Sequence, residues 1–403
     1  MRAVVVGAML GGVLLGCEPQ AATAAEPKTV AYTHSGVPWI FDETGHQYLI
    51  DTGTPRTFVT PHVAGVDGDT FAVQTVEQWD VRGLGGGREV VVTYDLPPAV
   101  IPMVGPSFGG ILAADLLAER PFVLDPLRSR LVFDDDGDFC DWLTQTEPPV
   151  QVPVQVGGGG TACMRPQRCF EHDGMRMLVD VVVEGTPVVA LVDTGSTFTS
   201  LGSGLQERLG GDGRPTMTVS RGWDTWKFSR LRTLSIADVL VEDAPVRINP
   251  DLDAALARLS VETGQRVELL LGHSVLLQFA VGIDYGRERL TLARYVDDRP
   301  LETEMFESFG VWLASADQGC WPVVAVAHGT EAHRSGIDVG DCLLSIDGRT
   351  AEQMTDVERD IALGSARIED SLTVTVSDEP TDGGRKLPAR AVRLTKRDLL
   401  PRQ

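Results

Sequence analysis

The sequence is poor in basic residues and lacks the ligand spacings of common metal sites. It holds 35 Lys and Arg residues against 57 Asp and Glu, which gives a formal net charge of −22. Because such a chain would repel nucleic-acid phosphates, we expect no nucleic-acid partner. The spacings Cys-x-x-Cys and His-x-x-x-His do not occur. A structural zinc site is therefore not expected, and no metal is predicted.

Long apolar runs are also missing, apart from one near the N-terminus. Residues 3–15 are apolar but too few to span a bilayer as a permanent helix, which is typical of an export signal. The run leads into Leu-Leu-Gly and Cys17, an ending that resembles a bacterial lipoprotein signal. We therefore expect a signal peptide at 1–16, a lipidated Cys17, and a tether at 17–28 that holds the protein in the cell envelope, at the outer membrane, in the periplasm or at the cell surface. The alternative is an ordinary signal cleaved near Ala24, and both alternatives predict export.

The remaining cysteines fit an oxidising compartment, where disulfides persist. Cys163 and Cys169 bracket a short loop, and Cys320 and Cys342 fall within one predicted domain. We expect one disulfide within each of these two pairs. Cys140 is then left as the unpaired thiol.

Glycine and proline are abundant, with 43 and 24 residues, and turns rich in them favour short strands over long helices. Within this texture, three landmarks recur in the same order: an apolar run ending in Asp-Thr-Gly, an aliphatic run, and Asp-x-x-Arg-x-Arg-Leu. They lie at 48–54, 110–117 and 125–131, and again at 191–196, 269–276 and 284–290. Such a coincidence is hard to obtain by chance, so the sequence predicts a duplicated domain.

The duplicated Asp-Thr-Gly element has a chemical meaning. Each copy ends an apolar strand, which carries Asp51 or Asp193 into surroundings that disfavour its charge. The glycine lets the backbone turn sharply and lets another chain approach. If the two loops face each other, the carboxyls share one proton, because both cannot ionise cheaply. One then takes a proton from water while the other protonates a carbonyl, which suits peptide hydrolysis.

On these motifs, the two halves resemble the lobes of retropepsin-type and pepsin-type aspartic proteases. The resemblance implies a mainly β fold with two tandem retropepsin-like β-barrel lobes, at 29–146 and 166–300, which form a pepsin-like pair joined by a linker at 147–165. It makes Asp51 and Asp193 the catalytic dyad, with a polypeptide bound in the cleft between the lobes and no cofactor. It also implies three kinds of supporting residue: threonines that interlock, glycines that turn, and hydroxyls that often hydrogen-bond the carboxylates. These are Thr52 and Thr194, Gly53 and Gly195, and Thr54 and Ser196.

Two residues of the first half depart from the family pattern. Ala113 stands where glycine is usual, although Gly272 is present in the second half, and Pro55 follows Thr54. These departures leave the fine geometry of the first half open.

Enzymes of this family cover the substrate with a flexible hairpin. The resemblance places this flap at the glycine-rich run 82–87, with Gly83, Gly85 and Gly86; the alternative is an ordinary hairpin turn. The second half has Trp223 and Trp226 in the equivalent interval. Substrate-pocket and core positions are both open for these tryptophans.

The C-terminal segment carries different motifs. An Ala-x-x-x-Gly-Ile element begins at Ala332, and Gly-Asp and Ile-Asp-Gly elements follow it. Together these resemble an α+β PDZ domain at 305–397; the alternative is a generic small α+β domain. The resemblance implies that an extended peptide adds a strand here, with its terminal carboxylate held near Phe309, Gly310 and Val311.

The sequence thus predicts an exported aspartic endopeptidase whose PDZ domain recruits or gates substrates. The alternative is a catalytically silent two-lobe scaffold that acts as a PDZ peptide-binding protein. Both Asp-Thr-Gly elements are intact, which favours the enzyme. A structural lipoprotein of the cell envelope is a third possibility, which no motif specifically favours.

Overall fold

The computed structural model describes most of the chain beyond the N-terminal region. The described residues are 28–34, 37–66, 71–76, 80–81, 84–85, 88–93, 108–134, 139, 143, 146–165, 168–210, 216–222, 224–296, 306–314, 316, 319–378 and 389–400. The predicted signal peptide, Cys17, the tether up to residue 27, and Cys140 lie outside them. Across the described ranges, no helix combines the length and apolar character needed to cross a bilayer.

The structure is mainly β, and the described residues of the first half (28–134) form short strands, two single-turn α-helices and a 3₁₀ turn at Pro126–Arg128. In chain order these are β1 (Lys28–His34), β2 (Pro38–Phe41), β3 (Gln47–Asp51), β4 (Phe58–Val59), α1 (Pro61–Ala64), β5 (Ala72–Val76), β6 (Asp80–Val81), β7 (Leu84–Gly85), β8 (Arg88–Val92), β9 (Phe108–Ala113), α2 (Ala114–Leu117), β10 (Phe122–Asp125) and β11 (Arg130–Phe133).

The second half (146–296) has longer strands and one three-turn helix. Its elements are β12 (Val150–Pro153), β13 (Gln155–Gly157), β14 (Gly160–Arg165), β15 (Arg168–His172), β16 (Arg176–Val183), β17 (Thr186–Val192), β18 (Thr199–Leu201), α3 (Ser203–Arg208), β19 (Met217–Arg221), β20 (Asp224–Ile236), β21 (Val239–Ile248), α4 (Leu252–Thr263), β22 (Val267–Leu271), α5 (His273–Leu276), β23 (Phe279–Asp284) and β24 (Arg289–Arg294). The segment 147–165, which we expected to be a linker, therefore contains strands.

The described residues of the C-terminal segment (306–400) form further strands and two α-helices. It contains β25 (Glu307–Ser308), β26 (Val311–Leu313), β27 (Trp321–Ala327), α6 (Glu331–Arg334), β28 (Cys342–Ile346), β29 (Arg349–Thr350), α7 (Asp356–Ser365), β30 (Ser371–Ser377), β31 (Ala389–Thr395) and β32 (Arg397–Asp398).

The two halves repeat one pattern of strand pairing. In the first half β3 runs parallel to β9, β4 is antiparallel to β9, and β4 is parallel to β8. In the second half β17 runs parallel to β22, β18 is antiparallel to β22, and β18 is parallel to β21. Both Asp-Thr-Gly loops leave the strand of a parallel pair, so each loop is held in the same way by its own half.

The halves also share a sheet. A 12-stranded sheet runs in the order β12-β24-β23-β10-β11-β1-β2-β3-β9-β4-β8-β5, and the antiparallel pair β10–β23 joins the two halves within it. One cluster of buried apolar side chains spans both halves and includes Ile50, Leu112, Val192 and Leu271. Burial of this apolar surface stabilises the halves as one unit.

In each half, the aspartate of the third sequence landmark is a buried carboxylate that binds arginine side chains of the same landmark. Asp125 accepts from Arg128 Nη1 at 2.9 Å and from Arg130 Nε at 2.8 Å. Asp284 accepts from Arg287 Nη1 at 2.8 Å, and both carboxylates are buried. The repeated Asp-x-x-Arg spacing therefore has a structural purpose, since a buried carboxylate needs a cationic partner.

The C-terminal segment is joined to the second half by the sheet itself. Strand β19 pairs with β27, with Val219 opposite Ala327, so the second half and the C-terminal segment share a 14-stranded sheet. Phe306 and Leu400 are buried against residues of the second half, and Arg230 Nε donates to Leu400 O at 2.6 Å.

The cysteine predictions are confirmed in part. Cys320 and Cys342 form a disulfide, as expected. Cys169 is also disulfide-bonded, and it lies opposite Cys163 in the register of β14 and β15. The side chain of Cys163 is outside the described residues, so that pairing stays a prediction.

Candidate active site

The two Asp-Thr-Gly loops meet at the centre of the molecule and interlock through their threonines. Thr52 Oγ donates to Val192 O at 2.8 Å, and Thr194 Oγ donates to Ile50 O at 2.9 Å. The amides of Thr52 and Thr194 each donate to the other's Oγ at 3.1 Å. Both threonines are fully buried. These four reciprocal bonds cross from one half to the other and hold the loops face to face.

The glycines bring each loop against the opposite carboxyl group. A β-carbon at Gly195 would lie 2.6 Å from Asp51 Oδ2, and one at Gly53 would lie 2.7 Å from Asp193 Oδ1. Any larger residue would displace these carboxyls. Glycine is therefore required here for close approach, as expected from the sequence.

The two carboxyls have different hydrogen-bond partners. Asp51 accepts from the amides of Gly53 at 2.8 Å and Thr54 at 3.0 Å, and from Thr54 Oγ at 2.6 Å. The Ser196 hydroxyl donates instead to Phe198 O, at 2.9 Å. Of the two hydroxyl contacts that the resemblance implies, the structure therefore has the one from Thr54 and not the one from Ser196.

The electrostatic environment separates the two carboxyls further. Burial and the adjacent Asp51 carboxyl raise the pKa of Asp193 well above its usual range, although backbone amides at Ser196 and Gly195 oppose this. Asp51 accepts three hydrogen bonds, which suits a carboxylate because an ionised carboxyl is an acceptor only. We therefore assign the shared proton to Asp193 and the negative charge to Asp51.

In each half, a second set of hydrogen bonds joins the chain that follows the Asp-Thr-Gly loop to the end of the neighbouring strand, β9 or β22. In the first half Thr57 Oγ accepts from the amide of Ala113 at 3.1 Å and donates to Asp115 at 2.6 Å. In the second half Thr199 Oγ accepts from the amide of Gly272 at 3.1 Å, and the Ser274 hydroxyl accepts from the Thr199 amide. Burial raises the pKa of Asp115, against hydrogen bonds from Thr57.

The departure at Ala113 does not change the local backbone conformation. The backbone dihedrals are φ −103° and ψ −178° at Ala113, and φ −106° and ψ −172° at Gly272. This is extended backbone that any residue adopts. The amide of His273, next to Gly272, donates to Ser196 O at 2.8 Å, and its side chain is buried.

Tyr285 is a buried residue near the dyad that sequence reasoning missed. Its pKa is raised mainly by burial, and further by the nearby carboxyl groups of Asp51, Asp115 and Asp193. Its hydroxyl is buried and has no hydrogen-bond partner among the described residues. The only signal in the sequence is its place directly after Asp284 of the third landmark, where the first half has Pro126.

A cavity of about 140 Å³ opens beside the dyad, between the two halves. Three residues of the first half and seven of the second line it: Val37, Trp39, Leu49, Gly195, Ser196, Thr197, Phe198, Ser200, Trp226 and Arg247. Gly195, one of the lining residues, is also the residue whose β-carbon position lies against Asp51. Of the two tryptophans noted in the sequence, Trp226 lies in this wall, and Trp223 is outside the described residues.

The other predicted site residues are described only in part. Gly83 and Gly86 are outside the described residues, and Gly85 lies in β7, which pairs with β6 as a short hairpin. In the C-terminal segment the amide of Gly310 donates to Ser308 Oγ at 3.1 Å, and its carbonyl accepts from Ala327. Phe309 and Val311 are buried. Within the described ranges, no group of three or more His, Cys, Asp or Glu residues could hold a metal ion.

A second catalytic pattern in the sequence is the Gly-x-Ser-x-Gly run at 105–109, which serine hydrolases place at a sharp turn from strand to helix. Ser107 is outside the described residues. The chain continues from Phe108 as strand β9 rather than as a helix. The required turn is therefore absent from the described residues that follow Ser107.

Comparison with known proteins links one part of the chain to a family. Residues 179–275 match the family model described as aspartyl protease, a segment that contains Asp193 and Gly272. No curated protein matches the chain.

Three solved structures show likeness to parts of the chain. A retropepsin-like aspartic protease from Rickettsia conorii is 17% identical with a TM-score of 0.24, over 36% of this chain and 90% of that one. Basic 7S globulin from soybean is 11% identical with a TM-score of 0.35, over 66% and 95%. An aminopeptidase N family protein from Idiomarina loihiensis is 23% identical with a TM-score of 0.18, over 23% and 14%. With every TM-score below 0.5, these likenesses carry no functional conclusion.

Proposed function

We propose that this chain is an exported aspartic endopeptidase that hydrolyses peptide bonds with water activated between Asp51 and Asp193. The observation that supports it most is the reciprocal contact of the two loops, in which each glycine lies against the opposite carboxyl. The match of residues 179–275 to the aspartyl protease family adds to it. Two carboxyls with unequal environments are what acid–base catalysis by a pair requires.

In the proposed mechanism the ionised Asp51 takes a proton from water, which attacks the carbonyl carbon of the scissile bond. Asp193, which holds the shared proton, donates it to the carbonyl oxygen. The tetrahedral intermediate collapses when the leaving nitrogen is protonated. Asp51, which now carries the proton taken from water, donates it to this nitrogen. Proton return from the hydroxyl to Asp193 restores the starting state.

The proposed substrate is an extended polypeptide that lies between the two halves, which we take as the two lobes of a pepsin-like pair. The cavity beside the dyad is the place for one of its side chains, since both halves line it. Trp39 and Leu49 give this cavity an apolar side. The hairpin of β6 and β7 is the proposed flap.

We further propose that the C-terminal segment is a PDZ domain that binds peptide ends beside β26. Among the described strands β26 pairs only with β27, so its other edge, along Val311–Leu313, is the place that we propose for the last residues of a peptide. Helix α7 contacts the residues that follow β26: Arg359 Nη1 donates to Ala314 O at 2.6 Å, and Asp356 accepts from the amide of Ala316 at 3.0 Å.

Peptide-end binding is testable on the whole protein. With the cleft filled by an aspartic protease inhibitor, peptides with a free C-terminal carboxylate should bind the chain, and the same peptides with an amidated end should bind weakly. Equal binding of both forms would contradict recognition of a terminal carboxylate.

Lipid anchoring at Cys17 remains part of the proposal. If Cys17 carries the lipid, Cys17→Ser should release the protein from the membrane fraction of expressing cells. Unchanged fractionation would favour the ordinary signal cleaved near Ala24.

The endopeptidase proposal is tested by incubating denatured protein with the chain, with and without an inhibitor of aspartic proteases. Cleavage that the inhibitor abolishes supports it. Absence of cleavage at every pH from 3 to 7 would favour the alternative, a silent two-lobe scaffold acting through its PDZ domain.

A further inference from the structure

We propose that Arg247 makes the cavity beside Asp51 and Asp193 selective for a substrate residue with an acidic side chain, glutamate or aspartate. This inference rests on the proposed function, because it names the substrate class of the same site. It is carried by the arrangement of charged and aromatic groups in the wall that the second half contributes.

The wall contains a stack of one indole between two guanidinium groups. The guanidinium carbons of Arg221 and Arg247 each lie 4.0 Å from the ring centroid of Trp226. The indole is itself fixed, because Trp226 Nε1 donates to Asp224 at 2.6 Å. Stacking of this kind fixes the plane of a guanidinium and leaves its edge available for a carboxylate. Of the two arginines, Arg247 lines the cavity and Arg221 does not.

Among the described residues, no carboxylate forms a hydrogen bond with the Arg247 guanidinium. The Asp224 Oδ2 atom lies 3.8 Å from Arg247 Nη2. The charges of Asp224 and Asp251 attract this guanidinium, and the charge of Arg221 repels it. Nε of Arg247 is buried and has no hydrogen-bond partner in the part of the chain that the structure describes. Burial lowers the pKa of the Arg247 guanidinium, with Asp224 acting against it.

A partly buried guanidinium with few partners is costly, and a carboxylate that reaches it removes part of that cost. The rest of the cavity fits such a side chain. Its opposite wall, from the first half, is apolar and includes Trp39 and Leu49, which would contact the methylene groups of a glutamate. Gly195 both lines this cavity and lies against Asp51, so we place the acidic residue near the scissile bond.

The test compares three peptides that differ at one position near the scissile bond, with Glu, Gln or Lys. At about pH 5 a free glutamate is ionised. Wild type should cleave the Glu peptide with a kcat/KM about tenfold above the Gln peptide, the effect expected of one charged hydrogen bond, and the Lys peptide least. The ratio of kcat/KM for the Glu peptide to that for the Gln peptide should fall to about one in Arg247→Met. In Arg247→Lys it should stay above one but below the wild-type ratio.

Arg221→Met is the matched control, since it removes the same charge from the other face of Trp226 without changing the lining of the cavity. It should keep most of the preference. A preference unchanged in Arg247→Met, or lost equally in both variants, would overturn the inference. Urea unfolding of each variant confirms that it is folded.

A binding measurement separates this inference from the proposed function. Peptides in which the scissile bond is replaced by a reduced, uncleavable one are titrated into wild type and Arg247→Met. Tighter binding of the Glu form by wild type alone supports the acidic preference even if no cleavage is found. Equal binding of the Glu and Gln forms overturns it, whether or not the protein is an enzyme.

Discussion

The two Asp-Thr-Gly loops make the same threonine contacts but have different surroundings. The amides of Thr52 and Thr194 make reciprocal hydrogen bonds of equal length. Among the described residues, a hydroxyl donates to Asp51, from Thr54, and none donates to Asp193. Below the loops, Asp115 in the first half stands where the second half has Ser274. The two halves thus hold the carboxyls in a shared arrangement, while burial and the adjacent Asp51 carboxyl raise the pKa of Asp193.

The largest effect is expected from substitutions at the two glycines, which both halves use in the same way to bring the loops together. Gly195→Ala and Gly53→Ala each place a methyl group under 3.0 Å from the opposite carboxyl. Each should lower kcat/KM by at least about 100-fold, because a displacement of roughly 1 Å at reacting groups has that effect.

The control is Gly204→Ala in α3, where a β-carbon meets nothing within 4 Å. Its peptide hydrolysis should match wild type. If Gly195→Ala kept full activity, the close approach of the loops would not matter for cleavage.

Substitution of the two threonines tests whether each contributes equally to the free energy of unfolding. Thr52→Val and Thr194→Val each leave buried amide and carbonyl groups without partners, at about 1–3 kcal/mol in the free energy of unfolding. Urea denaturation should show similar losses in the two variants and smaller ones in Thr52→Ser and Thr194→Ser. A large loss in only one valine variant would contradict the reciprocal arrangement.

The difference between the two carboxyls can be measured by the stability of Asp193→Asn and Asp51→Asn. Because the folded-state pKa of Asp193 is raised, its contribution to stability is fully present below its unfolded pKa and is lost as pH rises through the folded pKa. Asp193→Asn, which never ionises, should therefore unfold at a higher urea concentration than wild type at pH 7. The gain should vanish at pH 3.

Asp51→Asn should behave differently at pH 7. It weakens a group that accepts three hydrogen bonds, so its urea midpoint should fall below that of wild type. The same gain at pH 7 in both asparagine variants would contradict the assignment of the proton to Asp193.

The smallest effect is expected at Ala113, where the halves differ in sequence but not in backbone. Ala113→Gly should lower the free energy of unfolding by about 0.5–1 kcal/mol, since glycine loses more conformational freedom on folding. Cleavage should be unchanged. A large loss of activity would mean that the methyl group of Ala113 positions the first loop.

The sequence predicts the parts of the site that depend on repeated residues. The threonine contacts, the glycine approach and the duplicated strand pattern follow from Asp-Thr-Gly and its landmarks. The different roles of Thr54 and Ser196 could not be predicted, because both carry hydroxyls and the choice between Asp193 and Phe198 O depends on local rotamers. Tyr285 was missed for a similar reason, since a tyrosine after Asp284 reaches the dyad only through the folded arrangement.

The strands within 147–165 were also missed. Glycine-rich and proline-containing sequence indicates a linker by composition, yet Val150–Pro153 finds a partner in β24 and Gln155–Gly157 one in β16. Pairing with strands so distant in sequence leaves no local signal.

The central claim, that Asp51 and Asp193 act as one catalytic unit, is tested most directly by peptide hydrolysis from pH 3 to pH 7. Wild type, Asp51→Asn and Asp193→Asn are compared at matched folding. We predict a bell-shaped profile on the acidic side of neutrality for wild type, because one carboxyl must be ionised and the other protonated. Each variant should lose nearly all activity, since members of a catalytic unit are not additive. Wild-type rates in either variant would contradict the claim.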